Sequence, residues 1–339
     1  MIELIDIKKT FQGRTGMLST ADVHALRGVS LSIENGGALA LLGESGCGKT
    51  TLGRILAGLE TYDSGDIVID GTSLNGAPKG ERDRLQRKIQ LIHQDPYAAL
   101  NPVRTIEKSL TAPLKLRAKQ SGKDKGWVEQ RARELLTIVG LDPDEVLYKY
   151  PHNLSGGQRQ RVVIARALTV DPTVLVADEA VSMIDVSLRL GILQLLNDLR
   201  RRLKIAVVFI THDVAAARYV ALDGDICVIY RGEIFEYGRT DDVIHAPVNP
   251  YTQSLLSAVP VLVGLERPGP DRFIPLEELV TGRAVSGCLF SDRCPFAVEV
   301  CHQDHPDLLP IEELSRLNRC FFPTVRHVTA VSASGEASA

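Results

Sequence analysis

The stretch that most constrains this chain is Gly43-Glu-Ser-Gly-Cys-Gly48-Lys49-Thr50, a GxxxxGK pattern closed by a hydroxyl residue. It follows the apolar run Ala38 to Leu42 and opens a helical pattern with Leu52, Ile55, Leu56 and Leu59 on one face. In that context the backbone N–H groups of Gly43, Glu44, Ser45, Gly46, Cys47, Gly48, Lys49, Thr50 and Thr51 are available to wrap phosphates, and the helix N-terminus adds partial positive charge. Lys49 reaches the terminal phosphates and the Thr50 hydroxyl binds Mg²⁺. Average residue usage gives this pattern by chance in about one chain in a hundred, so a plain glycine-rich loop is displaced by the strand and helix around it.

Such a loop asks for a sheet buried on both faces. The runs Ala38 to Leu42, Val174 to Ala177 and Ile205 to Ile210 are apolar throughout rather than alternating, as in a parallel sheet covered by helices. They lead into Gly43, Asp178-Glu179 and Thr211-His212, at the strand ends where such sheets place ligands. Asp178 then serves the Mg²⁺ shell and Glu179 polarises an attacking water. A carboxylate pair at a strand end also suits solvent or a helix cap, and the loop upstream favours the chemistry. Asp185 begins another helix, where its simplest role is N-cap.

Between the first two strands lies a mostly helical stretch, about 95–168, including Trp127 to Val139 with Gly140 as its stop. Asp225 to Gly238 reads as two strands around an Arg231-Gly232 turn. The expected division is an α/β core over 1–240, an extension over 241–328 and a disordered small-residue tail over 329–339. At 339 residues the chain has room for about two domains, with no repeat to make them copies. A net charge of −3 gives no bulk reason to bind nucleic acid. With no run of roughly 20 apolar residues, and none of the basic-then-apolar order of a secretory signal in Met1 to Lys9, the chain is expected to stay in the cytosol.

There, six cysteines point to reduced thiols or a metal site rather than disulfides. Cys47 and Cys227 stand alone, whereas Cys288, Cys294, Cys301 and Cys320 share one segment. Cys47, inside the phosphate loop, is expected to be open to alkylation or oxidation.

Leu154-Ser-Gly-Gly-Gln158 is rarer than the first motif, expected by chance in roughly one chain in two thousand. Ser155 and Gln158 have capping-box spacing, and Gly156 and Gly157 bare backbone N–H groups at a helix start. One chain thus carries two phosphate sites and one nucleotide core. The second site is best explained as completing the pocket of another subunit.

Together these residues resemble the ATP-binding subunit of an ABC transporter of the oligopeptide/dipeptide importer family, over nearly the whole chain. The resemblance implies an α/β P-loop ATPase core with a helical subdomain, binding ATP and Mg²⁺. It implies that Gln94 in QDPYAALNP links the γ phosphate and Mg²⁺ to that subdomain. By the same likeness Asp185 faces a partner subunit, His212 in ITHD contacts the γ phosphate, and Phe11 stacks on adenine. A lone aromatic in an N-terminal strand is otherwise core. Where relatives read DEPTSALD this chain has DEAVSMID, keeping both carboxylates and Asp185.

Asn249-Pro-Tyr-Thr-Gln-Ser-Leu-Leu-Ser-Ala-Val-Pro260 resembles the segment that opens the family's C-terminal extension, whose cysteines hold a 4Fe-4S cluster. Spacing alone shows four thiols without nearby CxxC pairs, which suits a zinc ribbon poorly and leaves a Cys₄ cluster, zinc and unligated thiols open. The implied partners are a second ATPase subunit, two membrane-spanning permease subunits and, indirectly, an extracellular solute-binding protein, with no nucleic acid. The implied location is the cytoplasmic face of the membrane. Oligosaccharide or nickel-chelate import by the same family is the alternative, followed by soluble relatives in DNA repair, translation or iron-sulfur assembly. These last lack the Asn249 segment or carry paired cores or coiled coils absent here.

Overall fold

The computed structural model describes residues 1–14, 20–258 and 286–325; the expected disordered tail, 329–339, lies outside the described residues. The chain divides into two compact units. The first comprises Met1–Ile7, Ser30–Ala38 and Thr50–Ile210, and the second Lys8–Val29, Leu39–Lys49 and the chain from Thr211 onward.

In the first unit, strands Ile89–Ile92, Val174–Asp178 and Ala206–Thr211 pair in parallel, with Ile92 opposite Ala177 and Asp178 opposite Ile210. Every residue of the last two strands is buried, as their unbroken apolar runs predict. Helix Lys49–Leu56 lies tight against this sheet, since a Cβ on Gly53 would stand 2.6 Å from Ile210 Cδ1. Leu52, Ile55 and Leu56 are buried as expected, but Leu59 is exposed. The helix ends at Leu56, and Gly58 turns left-handed at φ 68° while the Leu59 N–H donates back to Arg54 O, so the expected face is one residue short.

The stretch from 95 to 168 contains helices Pro96–Ala99, Ile106–Ser121, Lys125–Ile138, Pro143–Val146 and Gly156–Ala167. The helix expected at Trp127 begins at Lys125 because the Asp124 carboxylate accepts from Trp127 N–H as N-cap, and Gly140 at φ 73° follows its end. Val128, Ala132, Leu135 and Leu136 form its buried stripe.

In the second unit, strand Ala38–Leu42 runs parallel to Asp225–Tyr230, which folds back onto Glu233–Arg239. Arg231 and Gly232 both have positive φ, 45° and 82°, the geometry of a tight hairpin. The extension continues this sheet: Arg316–Asn318 pairs antiparallel with Glu233–Arg239, and Leu309–Ile311 pairs with Arg316–Asn318. The described residues after 240 therefore share one compact unit with the phosphate loop.

Asn249 fastens that junction. It caps helix Pro250–Ser257 by accepting from Tyr251 N–H, and its buried Nδ2 donates to Phe235 O, Asn318 Oδ1 and Arg319 O at 2.9 to 3.1 Å. Beside it the buried Glu236 carboxylate accepts from the N–H groups of Val248 and Asn249. Replacing Asn249 with Ala strands several buried polar groups, so Asn249→Ala is expected to lower stability by about 3 kcal/mol. Urea unfolding with an unchanged slope measures this, and a loss below about 1 kcal/mol would refute the hub role.

Candidate functional site

The phosphate loop is shaped by what its glycines leave free. A Cβ on Gly43 would sit 2.2 Å from Ile229 O, and one on Gly48, at φ 108°, would sit 2.3 Å from Ala25 O. Backbone passes too close at both points for any side chain, which explains glycine there. Lys49 is buried, its ammonium donating to Gly43 O and Glu44 O at 2.7 Å each. Cys47 is also buried, and that burial raises its thiol pKa despite the opposing influence of Lys49. The expectation of a reactive thiol is therefore corrected: the side chain packs inward and stays protonated.

The first unit holds the carboxylates. Thr50 Oγ1 donates to Asp178 Oδ1 at 3.1 Å, joining the hydroxyl and carboxylate expected to serve Mg²⁺. Glu179 has φ 46°, a left-handed conformation unusual for a non-glycine residue, and its N–H donates to Ile210 O at 3.0 Å. Its carboxylate accepts from Gln94 Nε2 at 2.9 Å, so the structure brings together two residues 85 positions apart. Ser182 Oγ donates to Glu179 O at 2.8 Å and closes the turn. Strain concentrated on one carboxylate and answered by several contacts is the pattern of a functional position.

Ser155 caps helix Gly156–Ala167 through the expected reciprocal box: its Oγ accepts from Gln158 N–H, and Gln158 Oε1 accepts from Ser155 N–H. Gly156 has open space where a Cβ would be. Sequence reasoning missed Arg159, whose buried guanidinium donates to Pro151 O and Leu154 O at 2.9 Å and stacks 3.6 Å from the Tyr97 ring, fixing the loop before the cap. The signal was a charged residue at helical spacing from the apolar Val162 and Val163. Asp185 occupies the N-cap position of helix Val186–Leu203 without a side-chain cap bond, so capping does not explain its side chain.

In the second unit His212 is exposed at the end of strand Ala206–Thr211, just before a helix capped by Asp213. Phe11 is 38% exposed with the Lys9 ammonium 5.0 Å from its ring centre, so it is a surface aromatic and not core.

None of the six cysteines forms a disulfide. Cys288, Cys294, Cys301 and Cys320 line one cavity of about 170 Å³ whose walls include Phe235 and Phe290. Cys288 N–H donates to Cys301 O at 2.8 Å, and burial pushes the Cys288 thiol up to about 12, with the three other thiols adding to the rise. The donor set and its apolar enclosure fit a thiolate-bound cluster in kind. Among the described residues, however, no group of three or more His, Cys, Asp or Glu stands close enough to hold a metal ion.

Comparison with known proteins follows the same division. A family model described as ABC transporter matches residues 26–182, and one described as the C-terminal region of oligopeptide/dipeptide transporters matches 235–301. The chain is 38% identical to the di/tripeptide transport ATP-binding protein DppF of Pseudomonas aeruginosa, over 91% of this chain and 94% of that protein. It is 35% identical to the oligopeptide transport ATP-binding protein AppF of Bacillus subtilis, over 91% and 93% respectively. Among solved structures, a dimeric ATP-binding cassette in a post-hydrolysis state with ADP and Pi superposes with a TM-score of 0.61 at 29% identity, covering 71% of this chain and 99% of that one.

Proposed function

The chain belongs to the family of ABC transporter ATP-binding subunits that serve oligopeptide and dipeptide import, and from that premise we propose how its residues divide the work. It is an ABC-type ATPase that couples ATP hydrolysis to transport. The observation that carries the residue roles is the pair of carboxylates at the end of strand Val174–Asp178, Asp178 bonded to Thr50 and Glu179, on left-handed backbone, held by Gln94.

Gly43 to Thr51 cradle the phosphates, and Phe11 stacks on adenine. Thr50, Asp178 and Gln94 would hold Mg²⁺, which would supply positive charge to offset that of the phosphates. Glu179 takes a proton from water as the water oxygen attacks the γ phosphorus. The bond from that phosphorus to the bridging oxygen breaks, ADP leaves, and the proton passes to the released phosphate. His212 and Lys49 stabilise the charge that develops on the γ oxygens. Ser155, Gly156, Gly157 and Gln158 meet the nucleotide of a second ATPase subunit, with Asp185 facing that partner, as in a closed dimer.

The assembly completes with two permease subunits and an external solute-binding protein, which places the chain at the cytoplasmic membrane face as a peripheral subunit. Among the described residues no helix is long and apolar enough to cross a membrane. In purified complex with its permease subunits, ATP hydrolysis is expected to rise when peptide-loaded binding protein is added. Stimulation by an oligosaccharide or nickel chelate instead would overturn peptide as cargo, and isolation on ribosomes or DNA would overturn the transporter role.

A 4Fe-4S cluster on Cys288, Cys294, Cys301 and Cys320 is the finer reading of the extension, supported by the shared cavity of the four thiols. Anaerobically purified protein is then expected to be brown, with broad visible absorption that bleaches on reduction and disappears in Cys301→Ser. Stoichiometric zinc without iron would exclude it.

A further inference from the structure

The Asn249-Pro-Tyr-Thr segment and the cysteine-bearing turn have no part in the chemistry described above, yet both reach the same residue of the phosphate loop. Tyr251 Oη accepts from Glu44 N–H at 3.0 Å. Arg293, in the single-turn helix Ser291–Arg293, donates from both Nη atoms to the two Glu44 carboxylate oxygens at 2.8 and 2.9 Å, and one of them also reaches Tyr230 Oη at 3.2 Å. The pair is well shielded, with Arg293 and Glu44 side chains 7% and 19% exposed. Tyr230, Tyr251 and Phe290 pack mutually at 4.5 to 5.5 Å between ring centres and hold the two contacts in place.

We propose that Tyr251 and Arg293 are positioning residues of the ATP site, through which the C-terminal extension holds the phosphate loop at Glu44 and cancels that residue's charge. A carboxylate within a loop built to surround a polyanion opposes binding. A bidentate, shielded guanidinium removes that opposition and fixes the loop's first turn. The extension thereby serves nucleotide binding and not only the stability of its own fold. Arg293 immediately precedes Cys294, whose thiol lines the cavity, so the clamp and the cavity share a turn of chain.

The proposal rests on ATP binding by the phosphate loop, and wild-type hydrolysis that fails to appear would count against that premise rather than the clamp. Steady-state ATPase kinetics with an active wild type test the clamp by sign. Arg293→Ala leaves Glu44 uncompensated and is expected to raise KM for ATP about tenfold with little change in kcat. Glu44→Gln leaves Arg293 uncompensated and is expected to lower KM. The double variant is expected to recover most of the Arg293→Ala loss. Thermal melts of each variant report folding, and if Arg293→Ala fails to fold, the sign of the Glu44→Gln shift and a rise in KM for Tyr251→Phe carry the test. A rise in KM for Glu44→Gln, an unchanged KM for Arg293→Ala, or a double variant no better than Arg293→Ala would overturn the proposal.

Discussion

Glu179→Gln is expected to lower kcat for ATP hydrolysis by about a thousandfold while leaving ATP binding and ATP-induced dimer formation intact. The substitution keeps the shape of the side chain and an oxygen that can accept from Gln94, whose amide stands 2.9 Å from the native carboxylate. It leaves the backbone turn alone, including the bond from residue 179 N–H to Ile210 O at 3.0 Å. What it removes is the group that takes the proton from water. Phosphate release under saturating ATP measures the first effect, and gel filtration with ATP and Mg²⁺ measures the second. Hydrolysis within about tenfold of wild type would remove Glu179 from its role as base.

The second large effect is expected at Lys49. Its ammonium is buried and held by two backbone carbonyls, so it is a preorganised charge with no freedom to be replaced by a neighbour. Lys49→Ala is expected to weaken ATP binding by about a hundredfold or more, because an anion then meets the loop without its cation. Titration of a fluorescent ATP analogue checks this, alongside a thermal melt to show that the fold persists. Affinity equal to wild type would refute the phosphate-loop assignment. The two variants fail at different steps, binding for Lys49 and turnover for Glu179, and that contrast is itself part of the expected result.

Much of the site is legible from contiguous residues because the interactions that shape it are local. The box between Ser155 and Gln158 spans three positions and forms as its spacing predicts. The Arg231-Gly232 hairpin follows from two adjacent residues, of which glycine accepts positive φ without penalty. The fully apolar runs become fully buried strands because no alternation is left to face water. Leu59 departs from the pattern for an equally local reason, a glycine one residue earlier that ends the helix.

Burial of individual side chains was less accessible. Phe11 and Cys47 read in sequence as a core aromatic or ligand platform and as an open thiol. The fold exposes the first and buries the second, since neither outcome depends on residues adjacent in the chain. The four extension cysteines share one cavity through the packing of segments distant from one another in the chain, which their spacing does not show.

By itself the sequence determined the phosphate loop, the second glycine motif, the carboxylates at a strand end and the family to which they belong. Each of these is a short run whose chemistry depends on residue type and near neighbours. Tertiary structure alone decided that Tyr251 and Arg293, 207 and 249 residues beyond Glu44, close on that loop residue. An arginine beside a cysteine looks in sequence like any solvated charge, and only the packing of the extension onto the sheet of the phosphate loop brings its guanidinium to a carboxylate and shields both from water.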